Sequence, residues 1–169
     1  MRFFLLGFMG TGKTYWGHQW AEANAMSFYD LDELIEQEEN RTISDIFEKK
    51  GENYFRQKEA IVLRSLENAD NCIIACGGGT PCFFDNLEWM NKNGYTISLL
   101  AHEEFILQNI KKEEGKRPLF RNVNDAELLY FIQKKIGERL PFYMNAKKVL
   151  NAKDLDIHSL DTIIHPSNY

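Results

Sequence analysis

A segment near the N-terminus has the residue types and the spacing needed to hold a polyphosphate. Residues 7–14 fit G-x-x-x-x-G-K-[ST], the pattern of a phosphate-binding loop. Glycines let successive backbone N–H groups turn toward an anion. Lys13 supplies a charge for the β- and γ-phosphates, and Thr14 supplies a hydroxyl for Mg²⁺. The pattern therefore predicts nucleotide binding, the alternative being an ordinary glycine turn with a solvated lysine.

Two carboxylates stand two residues apart, where a second strand is expected to end. If Asp30 and Asp32 both lie on that strand, they point the same way. A kinase needs carboxylates there to hold the water shell of Mg²⁺ and to orient or deprotonate an attacking hydroxyl. The alternative is that one of them only caps the helix that starts near Glu33.

Three consecutive glycines and three arginines are further candidates. Residues 77–79 follow a buried strand directly, which favours a close approach of backbone to a ligand, although a flexible turn would also explain them. Arg56 shares a helical face with two glutamates, an arrangement typical of a solvated ion-pair surface. From spacing alone, Arg117 and Arg139 could equally be surface residues.

Short apolar runs alternating with helical patterns must position these residues. Strands are predicted at 2–6, 26–32, 72–76, 95–100 and 148–150. Helices are predicted after Thr14 (with Trp16, Trp20 and Ala23 on its apolar face) and at 31–39, 42–51, 52–68, 87–93, 103–112, 125–143 and 159–164. This alternation predicts a parallel sheet covered on both faces, with ligands at the carboxyl ends of the strands.

Bulk properties limit the class of protein. With 169 residues, 44% of them hydrophobic, the chain is expected to form one domain. A net charge of −5 argues against general binding to nucleic acid or to anionic membranes. Cys72, Cys76 and Cys82 do not form a C-x-x-C pair, so reduced thiols are expected. Because neither a signal peptide nor an apolar stretch of transmembrane length is evident, we expect a cytoplasmic protein.

Taken in their order along the chain, these motifs resemble those of the shikimate kinase family. The resemblance rests on the loop at 7–14, Asp30-x-Asp32, Gly51-Glu52-x-x-Phe55-Arg56-x-x-Glu59, Gly77-Gly78-Gly79, Arg117-Pro118-Leu119 and Glu138-Arg139-x-Pro141-x-Tyr143. It implies an α/β fold of the three-layer α/β/α P-loop kinase type, with a five-stranded parallel sheet and a lid, as in nucleoside-monophosphate kinases. It also implies a single domain with a substrate-binding subdomain at about 31–61 and the lid at about 112–124.

The resemblance further implies a reaction and its participants. ATP would phosphorylate the 3-hydroxyl of shikimate, a step toward chorismate and aromatic amino acids. Mg²⁺ is the implied cofactor, held by Thr14 and, through water, by Asp30. Lys13, Asp32 and Arg117 are the implied catalytic residues, with Asp32 as the candidate base. ATP and shikimate are the expected partners, and a monomer is expected.

The implied binding residues fall into two sets. The nucleotide set is Gly10, Thr11, Gly12, Lys13, Thr14, Tyr15 and Arg117. The shikimate set is Asp32, Arg56, Gly77, Gly78, Gly79 and Arg139, with Ile43, Phe47 and Phe55 on the apolar side. Two positions depart from the family: Asn109 stands where an arginine near the adenine is usual, and Tyr15 stands where Ser or Thr is common. Lys111 or Lys112 could replace that arginine only imperfectly.

Two other functions remain open from the sequence. The first is another small-molecule P-loop kinase, acting on gluconate or a nucleoside monophosphate. Two candidate carboxylate-binding arginines favour a small polyhydroxy acid, and the glycine turn offers little to a base. The second is a nucleotide-binding regulatory protein without catalysis, against which Lys13, Asp32 and Arg117 argue.

Overall fold

A computed structural model describes residues 1–112 and 123–165, which form a five-stranded sheet with all pairings parallel. The strands are β1 (Arg2–Gly7), β2 (Ser27–Asp30), β3 (Cys72–Ala75), β4 (Tyr95–Leu100) and β5 (Lys148–Asn151). Their order across the sheet is β2-β3-β1-β4-β5. The predicted five-stranded parallel sheet is therefore confirmed.

Helices cover both faces of the sheet. They are α1 (Lys13–Ala23), α2 (Leu31–Glu39), α3 (Ile43–Ser65), α4 (Asn86–Asn93), α5 (Glu103–Lys112), α6 (Asp125–Tyr143) and α7 (Asp161–Ile164). Alternate residues of β1 enter two separate cores, because side chains of a strand point to opposite faces. Phe4 and Leu6 pack with residues of α2 to α6, whereas Phe3 and Leu5 pack with residues of α1 and α7. The three-layer α/β/α architecture is thus confirmed.

The details of the helices agree in part with the sequence prediction. Ala21, not Ala23, is the buried alanine of α1, so the predicted apolar face was wrong at that position. Gly51 has φ +81° and interrupts the helical backbone of α3, so the helix boundary predicted at this glycine is confirmed. At the start of α3 the Thr42 side chain accepts a hydrogen bond from the backbone N–H of Asp45 at 3.1 Å, as the capping pattern predicts.

The predicted lid falls almost wholly between the two described ranges. Residues 113–122, including Arg117, lie outside the described residues. Lys111 near the end of α5 and Asp125 at the start of α6, on either side of this segment, form an exposed ion pair at 2.7 Å. Among the helices of the described residues, none has the length and apolar character that a membrane crossing requires.

Candidate active site

A cavity of about 750 Å³ lies at the carboxyl ends of the strands. It is bordered by the β1–α1 loop, the end of β2, α3, the segment after β3, α5 and α6. Every residue predicted to bind nucleotide, metal or substrate lines it, with the exception of Arg117 outside the described residues. The fold therefore brings the dispersed sequence motifs to one place, as parallel-sheet topology predicts.

The β1–α1 loop has the geometry of an anion-binding site. Gly10 and Gly12 have φ values of +77° and +88°, which side chains with a Cβ atom rarely adopt. The Lys13 ammonium donates to the carbonyl oxygens of Gly7 and Phe8 at 2.8 and 2.9 Å. Among the described side chains, none caps the first turn of α1, so its N–H groups suit a phosphate.

Thr14 and Asp30 meet beside this loop. The Thr14 hydroxyl donates to Asp30 Oδ2 at 2.9 Å, while Asp30 Oδ1 accepts from the backbone N–H of Asp32 at 3.0 Å. Asp30 therefore caps α2 and also faces the cavity, so both interpretations of this residue apply. A hydroxyl and a carboxylate are hard oxygen donors of the kind that Mg²⁺ prefers, and the pair fits that ion.

The prediction that one strand carries both acids was wrong. β2 ends at Asp30, and Asp32 lies in the first turn of α2. Both side chains still line the cavity because α2 begins directly at the end of the strand. The two acids therefore reach the cavity through the junction of β2 and α2, and not through alternation along one strand.

Asp32 has the most perturbed carboxyl group of the site. The pKa of Asp32 is raised from 3.8 to about 6, mainly by burial and to a smaller extent by the negative charges of Asp30 and Glu59. The cations Lys13 and Arg56 act in the opposite direction. A carboxylate with this pKa is ionised at neutral pH and accepts a proton more readily than an ordinary aspartate.

Arg56 is buried rather than solvated, because only 7% of it is exposed. Its Nη1 donates to Glu59 Oε2 at 2.9 Å, and the Phe83 ring centroid lies 4.3 Å from its Cζ. Glu59 is fully buried and also accepts from the Thr80 hydroxyl at 2.6 Å. The interpretation of a surface ion pair was therefore wrong: the guanidinium is held in one orientation at the cavity wall.

The turn formed by Gly77, Gly78 and Gly79, here called the glycine turn, lies against two arginines that are far apart in the sequence. A Cβ atom on Gly79 would lie 2.5 Å from Arg56 Nη2, and one on Gly78 would lie 3.0 Å from Arg139 Nη1. The Gly78 carbonyl also accepts from the Tyr143 hydroxyl at 2.6 Å. The absence of side chains at these two glycines leaves room for the guanidinium groups, so the turn is closely packed and is not a loose connection.

An apolar wall stands next to Arg56. Ile43, Phe47 and Phe55 all line the cavity, and the two phenylalanine ring centroids are 4.6 Å apart. The site therefore offers a cation, an acid and an aromatic surface within one enclosure, which suits a small ring bearing a carboxylate and hydroxyl groups.

Two polar contacts of the site went unnoticed in the sequence. Thr80 binds the buried Glu59, and the only sequence signal is a polar residue directly after the glycine turn. The sequence relates Asn109 only to adenine, whereas in the structure its side-chain amide donates to the Gly10 carbonyl at 2.8 Å. Neither contact belongs to a short motif, so only the folded chain reveals them.

Comparisons with known proteins agree with this geometry. The family model for shikimate kinase matches residues 9–165. A curated shikimate kinase from Bacteroides thetaiotaomicron is 36% identical over 156 residues, which are 92% of this chain and 89% of that protein. A crystal structure of shikimate kinase from the same species has a TM-score of 0.93 and 34% identity, covering 97% of this chain and 98% of that one. The structure of Acinetobacter baumannii shikimate kinase in complex with shikimate has a TM-score of 0.85 and 31% identity, covering 99% and 94%.

Proposed function

The chain belongs to the shikimate kinase family, and from this membership we propose that it transfers the γ-phosphoryl group of ATP to the 3-hydroxyl of shikimate. The products are shikimate 3-phosphate and ADP, on the route to chorismate and aromatic amino acids. The observation that carries the proposal is that Asp32, Arg56 and Arg139 share one cavity with the phosphate loop.

The acceptor's carboxylate is assigned to the two arginines. Arg56 and Arg139 approach adjacent glycines of one turn, and a planar guanidinium can bind a carboxylate through two parallel hydrogen bonds. The carbocyclic ring would pack against Phe47 and Phe55, which line the same cavity. This placement leaves the acceptor's hydroxyl groups to Asp32.

Phosphoryl transfer then needs a proton acceptor and compensation of charge. The oxygen of the 3-hydroxyl bonds to the γ-phosphorus, and Asp32 accepts the proton of that hydroxyl. The bond between the γ-phosphorus and the β–γ bridging oxygen breaks, and ADP leaves. Lys13 neutralises charge on the transferring group, a type of electrostatic interaction that dominates this chemistry. Arg117, outside the described residues, is proposed to contact the same phosphates.

The metal assignment follows from the oxygen donors of Thr14 and Asp30. We assign Mg²⁺ to the Thr14 hydroxyl directly and to Asp30 through water, since these oxygens lie together beside the loop. Held by these two residues, the metal would supply positive charge to offset the negative charge of the phosphates.

We also propose how the chain is organised around this reaction. Residues 31–61 act as the substrate-binding subdomain, and 112–124 act as a lid over the phosphates. One chain supplies all the described site residues, so a monomer is sufficient. The proposed partners are ATP and shikimate alone, without nucleic acid or membrane, and the proposed setting is the cytoplasm, which supplies ATP.

A coupled assay of ADP release distinguishes this acceptor from the alternatives. With shikimate, gluconate, AMP and CMP compared at equal concentration, we expect shikimate to exceed the others at least ~100-fold in kcat/KM, since the site binds its carboxylate and hydroxyl groups. Lys13→Met, expected to fold normally and to lose turnover, is the control for contaminating kinases. Preference for gluconate or a nucleotide would reassign the acceptor, and ADP release with none of them would favour a regulatory protein.

A further inference from the structure

Asn109 links α5 to the phosphate loop. Its Nδ2 atom donates to the backbone carbonyl oxygen of Gly10 at 2.8 Å, across 99 positions of sequence. The amide nitrogen must face that carbonyl, because a carbonyl oxygen can only accept a hydrogen bond. Asn109 also borders the cavity, so this contact lies at the edge of the site and not behind it.

The helix that carries Asn109 is packed tightly against the same point of the loop. A Cβ atom on Gly10 would lie 3.1 Å from the carbonyl oxygen of Ile106 and 3.3 Å from Ile110 Cγ1. Both isoleucines are buried, so this part of α5 is anchored in the core. The amide of Asn109 is therefore presented to the loop from a rigid element.

A loop whose N–H groups must face an anion needs donors for its own carbonyl groups. The Phe8 carbonyl accepts from Lys13 and, at 2.7 Å, from the Thr11 hydroxyl. The Gly10 carbonyl accepts from Asn109. Lys13 carries a charge that a bound phosphate attracts, whereas the neutral amide of Asn109 can keep its carbonyl partner when nucleotide binds.

We propose that Asn109 is a positioning residue of the phosphate loop: it holds the Gly10 carbonyl against α5 and so keeps the loop's N–H groups directed at the donor's β-phosphate. Asn109 then contributes to binding of the phosphates through the loop and does not recognise the adenine. The inference rests on the proposed use of ATP as the phosphoryl donor.

Ligands that separate the phosphates from the base test this assignment. Pyrophosphate carries the groups that the loop binds and has no base, AMP carries the base without a β-phosphate, and ADP carries both. The dissociation constants of pyrophosphate and ADP are measured by calorimetry in the presence of Mg²⁺ and the absence of shikimate. The dissociation constant of AMP is measured under the same conditions by displacement of ADP. The variants are Asn109→Leu and, as a smaller neutral change, Asn109→Ala. Gln108→Leu, on an exposed neighbour in the same helix, is the matched control.

Loss of one neutral hydrogen bond should raise the dissociation constants of ADP and pyrophosphate by about 3- to 10-fold in both Asn109 variants. AMP should change less than about twofold, and the control variant should leave all three constants unchanged. An equal loss for AMP and ADP would overturn the proposal and assign Asn109 to the base, and unchanged constants for all ligands would overturn it outright. Failure of the wild-type protein to bind ADP at all would instead refute the proposed function.

Discussion

Replacing Arg56 by lysine tests the assignment of the acceptor's carboxylate. Arg56 is 7% exposed and lies beside Phe83 and Glu59, so any carboxylate bound there is largely removed from water. Losing one partner of such a contact costs on the order of 2–5 kcal/mol, which corresponds to a rise in KM of roughly 30-fold or more. Lysine keeps a charge near Glu59 but cannot reproduce the planar fork.

The choice of lysine separates binding from folding. Arg56→Ala would leave the fully buried Glu59 without its cation, and breaking a buried pair in this way costs about 3–5 kcal/mol of stability. For Arg56→Lys, the steady-state KM values for shikimate and for ATP are measured, and the melting temperature is measured as well. Arg41→Lys, which changes an exposed arginine between α2 and α3, serves as the control.

The expected result is specific to shikimate. In Arg56→Lys, KM for shikimate rises and KM for ATP changes little. The methyl ester of shikimate, which lacks the charge, is a poor substrate of the wild-type enzyme, and activity toward this ester falls much less in the variant than activity toward shikimate. A wild-type KM for shikimate in both Arg56→Lys and Arg139→Lys would refute the reasoning and return these arginines to a structural role.

Three further predictions concern the acid, the glycine turn and the lid. Asp32→Asn should lower kcat by roughly 100-fold or more, and the wild-type pH profile of kcat/KM should fall below about pH 6, where Asp32 becomes protonated. Folding raises the pKa of Asp32 from 3.8 to about 6, so the free energy of unfolding decreases as pH rises through this range and the buried carboxyl group becomes ionised. Above pH 6, chemical denaturation should therefore find Asp32→Asn more stable than the wild-type protein by about 3 kcal/mol. Gly79→Ala should raise KM for shikimate without a large change in KM for ATP, because the added methyl group displaces the Arg56 guanidinium 2.5 Å away. Arg117→Ala should lower kcat while calorimetry shows unchanged binding of shikimate to the ATP-free enzyme, because Arg117 is proposed to contact the phosphates and not the acceptor.

Different results would separate the alternatives. A normal rate for Asp32→Asn would leave this residue a structural role only. Equal loss of ATP and shikimate affinity in Gly79→Ala would indicate general disruption of the turn. A large loss of shikimate affinity in Arg117→Ala would place Arg117 at the acceptor.

The sheet could be predicted because its signals are local. Tyr95–Leu100 is a short stretch that begins directly after Gly94, and the strand has the predicted bounds. The exact strand end before Asp32 was missed, because an aspartate suits both a strand end and the first turn of a helix.

The environment of Arg56 could not be predicted in the same way. Glutamates three and four residues away give the same pattern on a solvated helix as on a buried one. What buries Arg56 is the Phe83 ring and the glycine turn, which lie more than twenty residues further along the chain. Contacts of this kind, like that between Asn109 and Gly10, arise only from the tertiary fold.

The central claim is the transfer of the γ-phosphoryl group to one hydroxyl of shikimate, and identifying the product tests it most directly. Phosphorus–proton correlation NMR of a complete reaction with ATP and shikimate should show a single new phosphomonoester, coupled to the proton on carbon 3 and formed in equal amount with ADP. Phosphorus on a different hydroxyl, or inorganic phosphate as the only new phosphorus species beside ADP, would contradict the account.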